Sequence, residues 1–349
     1  MKARIVSFLL AFLLALTALS AIAEPAQDTP EYDYTILPLE RNGVALHLDC
    51  VSLRGSAPRR NILLTHGVTY SSHEFDIDYE DYSLVRFLAG NGYAVWRLDI
   101  AGFGQSGEVE DGFMPDSDYA AEDIAAAVEA ICRETGRDRL DLLGWSWGTV
   151  TASRFAIRHP EVVDRLVLYA PILSGIGAYE VTEPFHHNTW EHAADDFQRD
   201  ADGHIDPEIT DPLMVELFCS GSWHYDKEYS PNGGRRDICV DESVSLIDLS
   251  AIAVPTLIIC GDSDPYLKYA RIEGAAEALP EGSRVEVIPG GAHVLMYEAP
   301  YYHDFQERLS DFLSSGRAHQ LMQAVALSRH STESYDAPAE MYSDDADAA

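Results

Sequence analysis

The stretch Gly144-Trp145-Ser146-Trp147-Gly148 leaves this chain few ways to fold. A largely apolar run over 140–143 precedes it and a helical pattern over 149–157 follows, so it reads as a strand, a sharp turn carrying one serine, and a helix. The glycines on either side leave room around a backbone turned that sharply. Such a turn holds the Ser146 hydroxyl clear of the sheet. Trp147 opens the helix, so its backbone N–H and the helix dipole point toward any negative charge forming at the serine.

The same rhythm surrounds this turn. Strands are expected over 34–40 and 44–53, joined at Asn42-Gly43, and over 61–65, 93–100 and 165–170. Helices are expected over 82–89 and 119–134. Repeated strand-helix alternation predicts an α/β fold, a mostly parallel central sheet with helices on both faces. The strand ends and the loops that follow them then share one rim. The alternation breaks over 173–250, a stretch rich in Asp, Glu, His, Trp and Pro with no clean strand, and resumes with strands over 255–260 and 284–288 and a helix over 300–313. A break that long predicts an inserted cap, with core segments over 31–172 and 251–315.

Three loops on that rim carry reactive side chains in order. Ser146 comes first, then Gly261-Asp262-Ser263-Asp264-Pro265, then Gly290-Gly291-Ala292-His293. From about Tyr34 to Leu313 this order resembles the α/β-hydrolase superfamily. The resemblance implies a capped serine hydrolase with Ser146 as nucleophile, His293 as general base and later acid, and Asp264 as the carboxylate that orients the imidazole. A serine hydroxyl is hardly ionised near neutral pH, so a base of pKa near 7 has to take its proton. A buried acceptor has to hold that base in the useful tautomer.

Asp262 competes with Asp264. The superfamily usually sets its acid a few residues past the strand, which favours Asp264, although either carboxylate could merely cap the next helix. His66-Gly67-Val68 resembles the oxyanion loop, implying backbone N–H donors at Val68 and Trp147, with the His66 side chain packed structurally. The glycine-rich loop at Gly102-Phe103-Gly104 reads as architectural. A serine at position 146 argues against the haloalkane dehalogenases and epoxide hydrolases of the superfamily, which attack through aspartate there.

The remaining features bound the setting. Residues 1–23 read as an export signal, with Lys2 and Arg4, an apolar run and a small-residue site at Ala21-Ile22-Ala23, the rival being an uncleaved anchor. The expected location is secreted or periplasmic, where disulfides persist. Five cysteines cannot all pair within one chain, and a Cys219–Cys239 bridge is one option. A net charge of −34 excludes nucleic acid and anionic membranes as partners. Part of that charge lies in the tail over 328–349, which lacks apolar periodicity and is expected to be disordered.

The cap residues Phe185, His186, His187, Trp190, Trp223, His224 and Tyr225 could line a pocket over the serine or form the cap's own core. The segment Asp200-Ala201-Asp202-Gly203-His204-Ile205 resembles part of a calcium loop, but Gln198 and Ile209 stand where carboxylates belong, so it reads as a polar turn. The expected partner is a small to medium-sized substrate of apolar character with an ester or related acyl bond; the same three residues would also serve acyl transfer, C–C bond or amide hydrolysis, lipase or lyase chemistry, and a non-catalytic ligand-binding protein of this fold is the rival from another class. No cofactor or metal is implied.

Overall fold

The structure, a computed structural model, describes residues 30–315 except 273; the leader over 1–23 and the tail over 328–349 lie outside the described residues. In chain order the strands are β1 (Tyr32–Ile36), β2 (Leu39–Arg41), β3 (Val44–Leu46), β4 (Leu48–Leu53), β5 (Arg60–Thr65), β6 (Tyr93–Leu98), β7 (Leu140–Trp145), β8 (Val163–Tyr169), β9 (Phe185–His187), β10 (Tyr229–Pro231), β11 (Thr256–Gly261) and β12 (Arg284–Ile288). Eight of them form one sheet in the order β1-β4-β6-β5-β7-β8-β11-β12. Every neighbouring pair from β6 to β12 is parallel, and β4 joins β6, and β1 joins β4, antiparallel. This is the mostly parallel α/β-hydrolase sheet, with its antiparallel strands at one edge.

The N-terminal strands correct the sequence reading. Where two long strands were expected, the structure has four. Pro38 lacks an N–H and cannot continue a ladder, so β1 ends at Ile36. His47 turns its N–H away to Ser106 Oγ at 2.8 Å, which separates β3 from β4. Asn42 and Gly43, with φ of 52° and 80°, close the small β2–β3 hairpin.

Successive residues of the buried strands feed opposite faces. On β5, Leu63 joins a hydrophobic cluster with Trp96, Ile124 and Val150. Its neighbours Ile62 and Leu64 join another with Val85, Tyr169 and Phe305, the last from the helix over 302–315. The sheet is thereby covered on both sides.

Residues 173–250 carry short helices at Trp190–Ala193 and Gly233–Ile238, a longer one at Pro212–Tyr225, and the β9–β10 pair that the sequence pattern did not reveal. Met214, Phe218 and Cys219 pack into the same cluster as Tyr169, so this segment shares a core with the sheet. Asp226 adds a polar tie, accepting from Ser71 N at 3.1 Å and Gly104 N at 3.0 Å. All five cysteines are free thiols. The considered Cys219–Cys239 bridge is absent; the two residues pack into different hydrophobic clusters. Among the described residues no helix is long and apolar enough to cross a membrane.

Candidate active site

Ser146 stands between the end of β7 and the helix Trp147–Arg158 with φ 55° and ψ −122°. A non-glycine residue held there stores roughly 1–3 kcal/mol of strain, which its surroundings have to offset. Ser146 N donates to Tyr169 O at 3.1 Å, and Thr149 returns its N–H and hydroxyl to Ser146 O at 2.9 and 2.6 Å. The glycines are needed for closeness: a Cβ on Gly144 would lie 2.2 Å from Gly148 O, and one on Gly148 would lie 2.3 Å from Thr65 O.

The loop after β5 runs against the serine. A Cβ on Gly67 would sit 3.0 Å from Ser146 Cβ and 3.5 Å from its Oγ, so the backbone of this loop lies against the serine. Among the described residues neither Val68 N nor Trp147 N has a protein acceptor. Behind this loop the buried Glu74 carboxyl accepts from Gly67 N at 3.2 Å. Burial pushes the Glu74 pKa well above the ordinary carboxyl range, with Asp226, Asp196 and Asp99 adding to the rise against the Gly67 hydrogen bond. Sequence reasoning missed Glu74, since a single acidic residue in a loop gives no periodic signal. His66 is buried, with Nδ1 2.8 Å from Gly67 O and Nε2 accepting from Ile100 N at 3.1 Å. It is a packed structural histidine, and burial lowers its pKa against the pull of Asp99.

The other two loops meet at the histidine. His293 Nδ1 donates to Asp264 Oδ2 at 2.8 Å, both side chains 2 % exposed. That bond leaves Nε2 of the neutral ring without its proton, able to act as a base. Burial pulls the His293 pKa down, but the charge and hydrogen bond of Asp264, helped by Asp196 and Glu298, outweigh it, and the net shift is upward. Asp262 does a different job: exposed, it accepts from Gly290 N at 2.7 Å and shapes the histidine loop. Asp264 also accepts from Tyr266 N at 2.8 Å, which closes a turn rather than capping a helix, because the next helix starts only at Tyr269.

Residues outside the sequence reading hold His293 in place. Trp145 Nε1 and Tyr169 OH both donate to its carbonyl, at 3.1 and 3.2 Å. The Tyr266 ring meets the imidazole edge-on at 4.7 Å between centroids. Glu298 accepts from Ala292 N at 2.9 Å and from Gln198 Nε2 at 3.0 Å.

Ser146 and His293 face one cavity of ≈ 100 Å³, with Val68 on its wall. No hydrogen bond joins the two side chains at rest; in free enzymes such bonds are often long and tighten only with substrate. The cavity admits a small group and is more polar than the apolar pocket expected from the sequence. From the 173–250 segment it takes Ile176, Tyr179, His192, Asp195, Asp196, Arg235 and Ile238. None of the seven cap residues considered beforehand lines it. Trp223, His224 and Tyr225 border a separate groove beside Gly104, and Phe185 and His187 border another beside Val109. Asp200 holds a polar turn, accepting from Asp202 N and His204 N at 2.9 Å each.

The sheet order, and the loops that bring Ser146, Asp264 and His293 to one rim, define an α/β hydrolase. The chain belongs to the family described as serine aminopeptidase, S33, which matches residues 56–300. It is 25% identical over 288 residues to epoxide hydrolase 3 of Xenopus tropicalis, covering 74% of this chain and 73% of that protein. Among solved structures, the esterase EaEST from Exiguobacterium antarcticum superposes with a TM-score of 0.57 at 19% identity, covering 80% of this chain and 99% of that one. The carboxylesterase CesB (YbfK) from Bacillus subtilis does so with a TM-score of 0.55 at 21% identity, covering 81% and 92%. At these identities the two structures speak for the fold alone.

Proposed function

We propose that this α/β hydrolase is an exported serine hydrolase that cleaves an ester or related acyl bond of a small molecule through an acyl-enzyme on Ser146. One observation carries the reading: the strained Ser146 and His293 share a cavity, and His293 holds Asp264 on its far nitrogen. His293 Nε2 takes the hydroxyl proton as Ser146 Oγ attacks the carbonyl carbon. The unspent N–H groups of Val68 and Trp147 receive the oxyanion, each contributing roughly 3 kcal/mol in the transition state. The imidazolium, stabilised by Asp264, returns the proton to the leaving alcohol. Water deprotonated by His293 then attacks the acyl carbon and frees the acid and Ser146. The likeness to an epoxide hydrolase does not extend to its chemistry, because serine, not aspartate, occupies the turn.

A second reading, amide hydrolysis next to a free amino group, is favoured by Asp195 and Asp196 on the cavity wall and accords with the family's description. Both readings use the same three residues. A panel of p-nitrophenyl esters of rising chain length, run beside aminoacyl p-nitroanilides with Ser146→Ala as the blank, separates them. Ester turnover confined to short chains supports the first reading. Turnover of the anilides alone replaces it with the second, and turnover by neither overturns both.

A further inference from the structure

The cavity beside Ser146 contains one feature that acyl transfer does not require. Arg235 lies on its wall, in the short helix Gly233–Ile238, only partly exposed. Its Nε donates to Asn232 Oδ1 at 3.2 Å, and its Nη2 donates to Thr69 Oγ1. No carboxylate of the described residues pairs with it, although most arginines of this acidic chain have such a partner. Asp195 and Asp196 share the wall without reaching it, and Asp196 accepts from Tyr266 OH at 3.1 Å on the histidine side. The Tyr179 hydroxyl on the same wall is also close enough to feel the guanidinium.

This placement is built by packing. A Cβ on Gly234 would meet the Trp147 ring at 2.5 Å, and one on Gly233 would meet Pro115 O at 2.5 Å. The short helix therefore rests directly on the turn that carries Ser146, and Thr69 follows the oxyanion donor Val68 by one residue. The positive charge is felt by its neighbours: burial first, and then Arg235, push His186 down to about 3 and lower His192. The wall thus presents one guanidinium with no other cation beside it.

We infer that Arg235 is a specificity-determining residue that receives a carboxylate on the acyl part of the substrate, so that the preferred substrates are half-esters of short dicarboxylic acids. The inference rests on the serine-hydrolase reading of the same site. A guanidinium fork suits a carboxylate, and Arg235 has N–H groups beyond those given to Asn232 and Thr69. The acyl side is indicated because Arg235 is bonded to the oxyanion loop, whereas Asp196 stands by Tyr266 and His293, where the leaving group departs and a second anion would be repelled. The net charge of −34 opposes an approaching anion at long range, but salt screens that field over about 8–10 Å, and within the cavity the nearest charge prevails.

The test compares monomethyl succinate with methyl butyrate, which differ by a carboxylate in place of a methyl group, with kcat/KM followed by pH-stat. Wild type is expected to favour the succinate half-ester by about tenfold or more. Arg235→Gln is expected to collapse that ratio, and Arg235→Lys, which keeps the charge but loses the fork, to give an intermediate one. A ratio unchanged by Arg235→Gln, or a wild-type preference for butyrate, overturns the role of Arg235 while leaving the serine-hydrolase reading intact. Failure of the enzyme to turn over either ester, with no labelling of Ser146 by a fluorophosphonate, overturns both.

Discussion

Trp145 Nε1 donates to the carbonyl of His293 at 3.1 Å, so the strand that presents the serine also holds the loop that presents the imidazole. Tyr169 OH reaches the same carbonyl at 3.2 Å from the adjoining strand. Two donors on one acceptor make the anchorage redundant. Trp145→Phe and Tyr169→Phe are each expected to lower kcat by at most about fivefold, since a single buried hydrogen bond is worth about 1 kcal/mol. The double variant is expected to lose clearly more than the product of the two. A product equal to the singles would show that the donors do not share this task.

The two aspartates of the loop after β11 are separated by their partners. Asp264→Asn is expected to lower kcat by about 10⁴-fold, because the wrong tautomer of His293 is then favoured. Asp262→Asn loses only a contact to Gly290 N and is expected to cost less than about tenfold. Steady-state kinetics on both variants checks this, and a crippled Asp262→Asn enzyme would reassign the acid.

The pH profile follows from His293. It acts as a base only when neutral, and its pKa lies above the ordinary 6.5 because Asp264 outweighs burial. The acid limb of kcat/KM is therefore expected to have its midpoint above pH 6.5, with the rate falling below it. In Asp264→Asn burial is left largely unopposed, so the midpoint of the residual activity should move downward. An upward move would contradict the assigned cause.

Glu74 links stability to the loop after β5. Its folded pKa is raised well above 4.5, so as the pH climbs past 4.5 the unfolded chain gives up a proton that the folded chain keeps, and the fold loses stability until the folded pKa is passed. Glu74→Gln removes that loss and can still accept from Gly67 N. Its melting temperature is expected to exceed that of wild type by a margin that grows as the pH rises above 4.5. Glu74→Ala strands the Gly67 N–H and is expected to lower kcat about tenfold. An equal loss of kcat in Glu74→Gln would show that the hydrogen bond to Gly67 is not what matters.

Residues whose placement follows from a buried strand were legible in the sequence. Ser146, Asp264 and His293 each lie just past a strand of the central sheet, and the span 284–288 matches β12 residue for residue. Pro38 carried a visible signal for the break after β1 that pattern reading passed over. The cavity wall was not legible. Arg235 meets Thr69 across 166 positions, and Asp196 meets Tyr266 across 70, contacts that no local periodicity encodes. The exposed aromatics of the inserted segment drew attention because of their type, yet Trp190 and Trp223 are 45% and 47% exposed and lie away from the serine.

Every step of the proposed reaction depends on activation of Ser146 by His293. The most direct measurement is reaction of the intact protein with a fluorophosphonate, with the modified residue located by peptide mass spectrometry in wild type and in His293→Ala. A single adduct on Ser146 that forms rapidly in wild type and at least about 10³-fold more slowly without the imidazole is the expected result. An unmodified Ser146, or labelling that does not depend on His293, would rule out that activation.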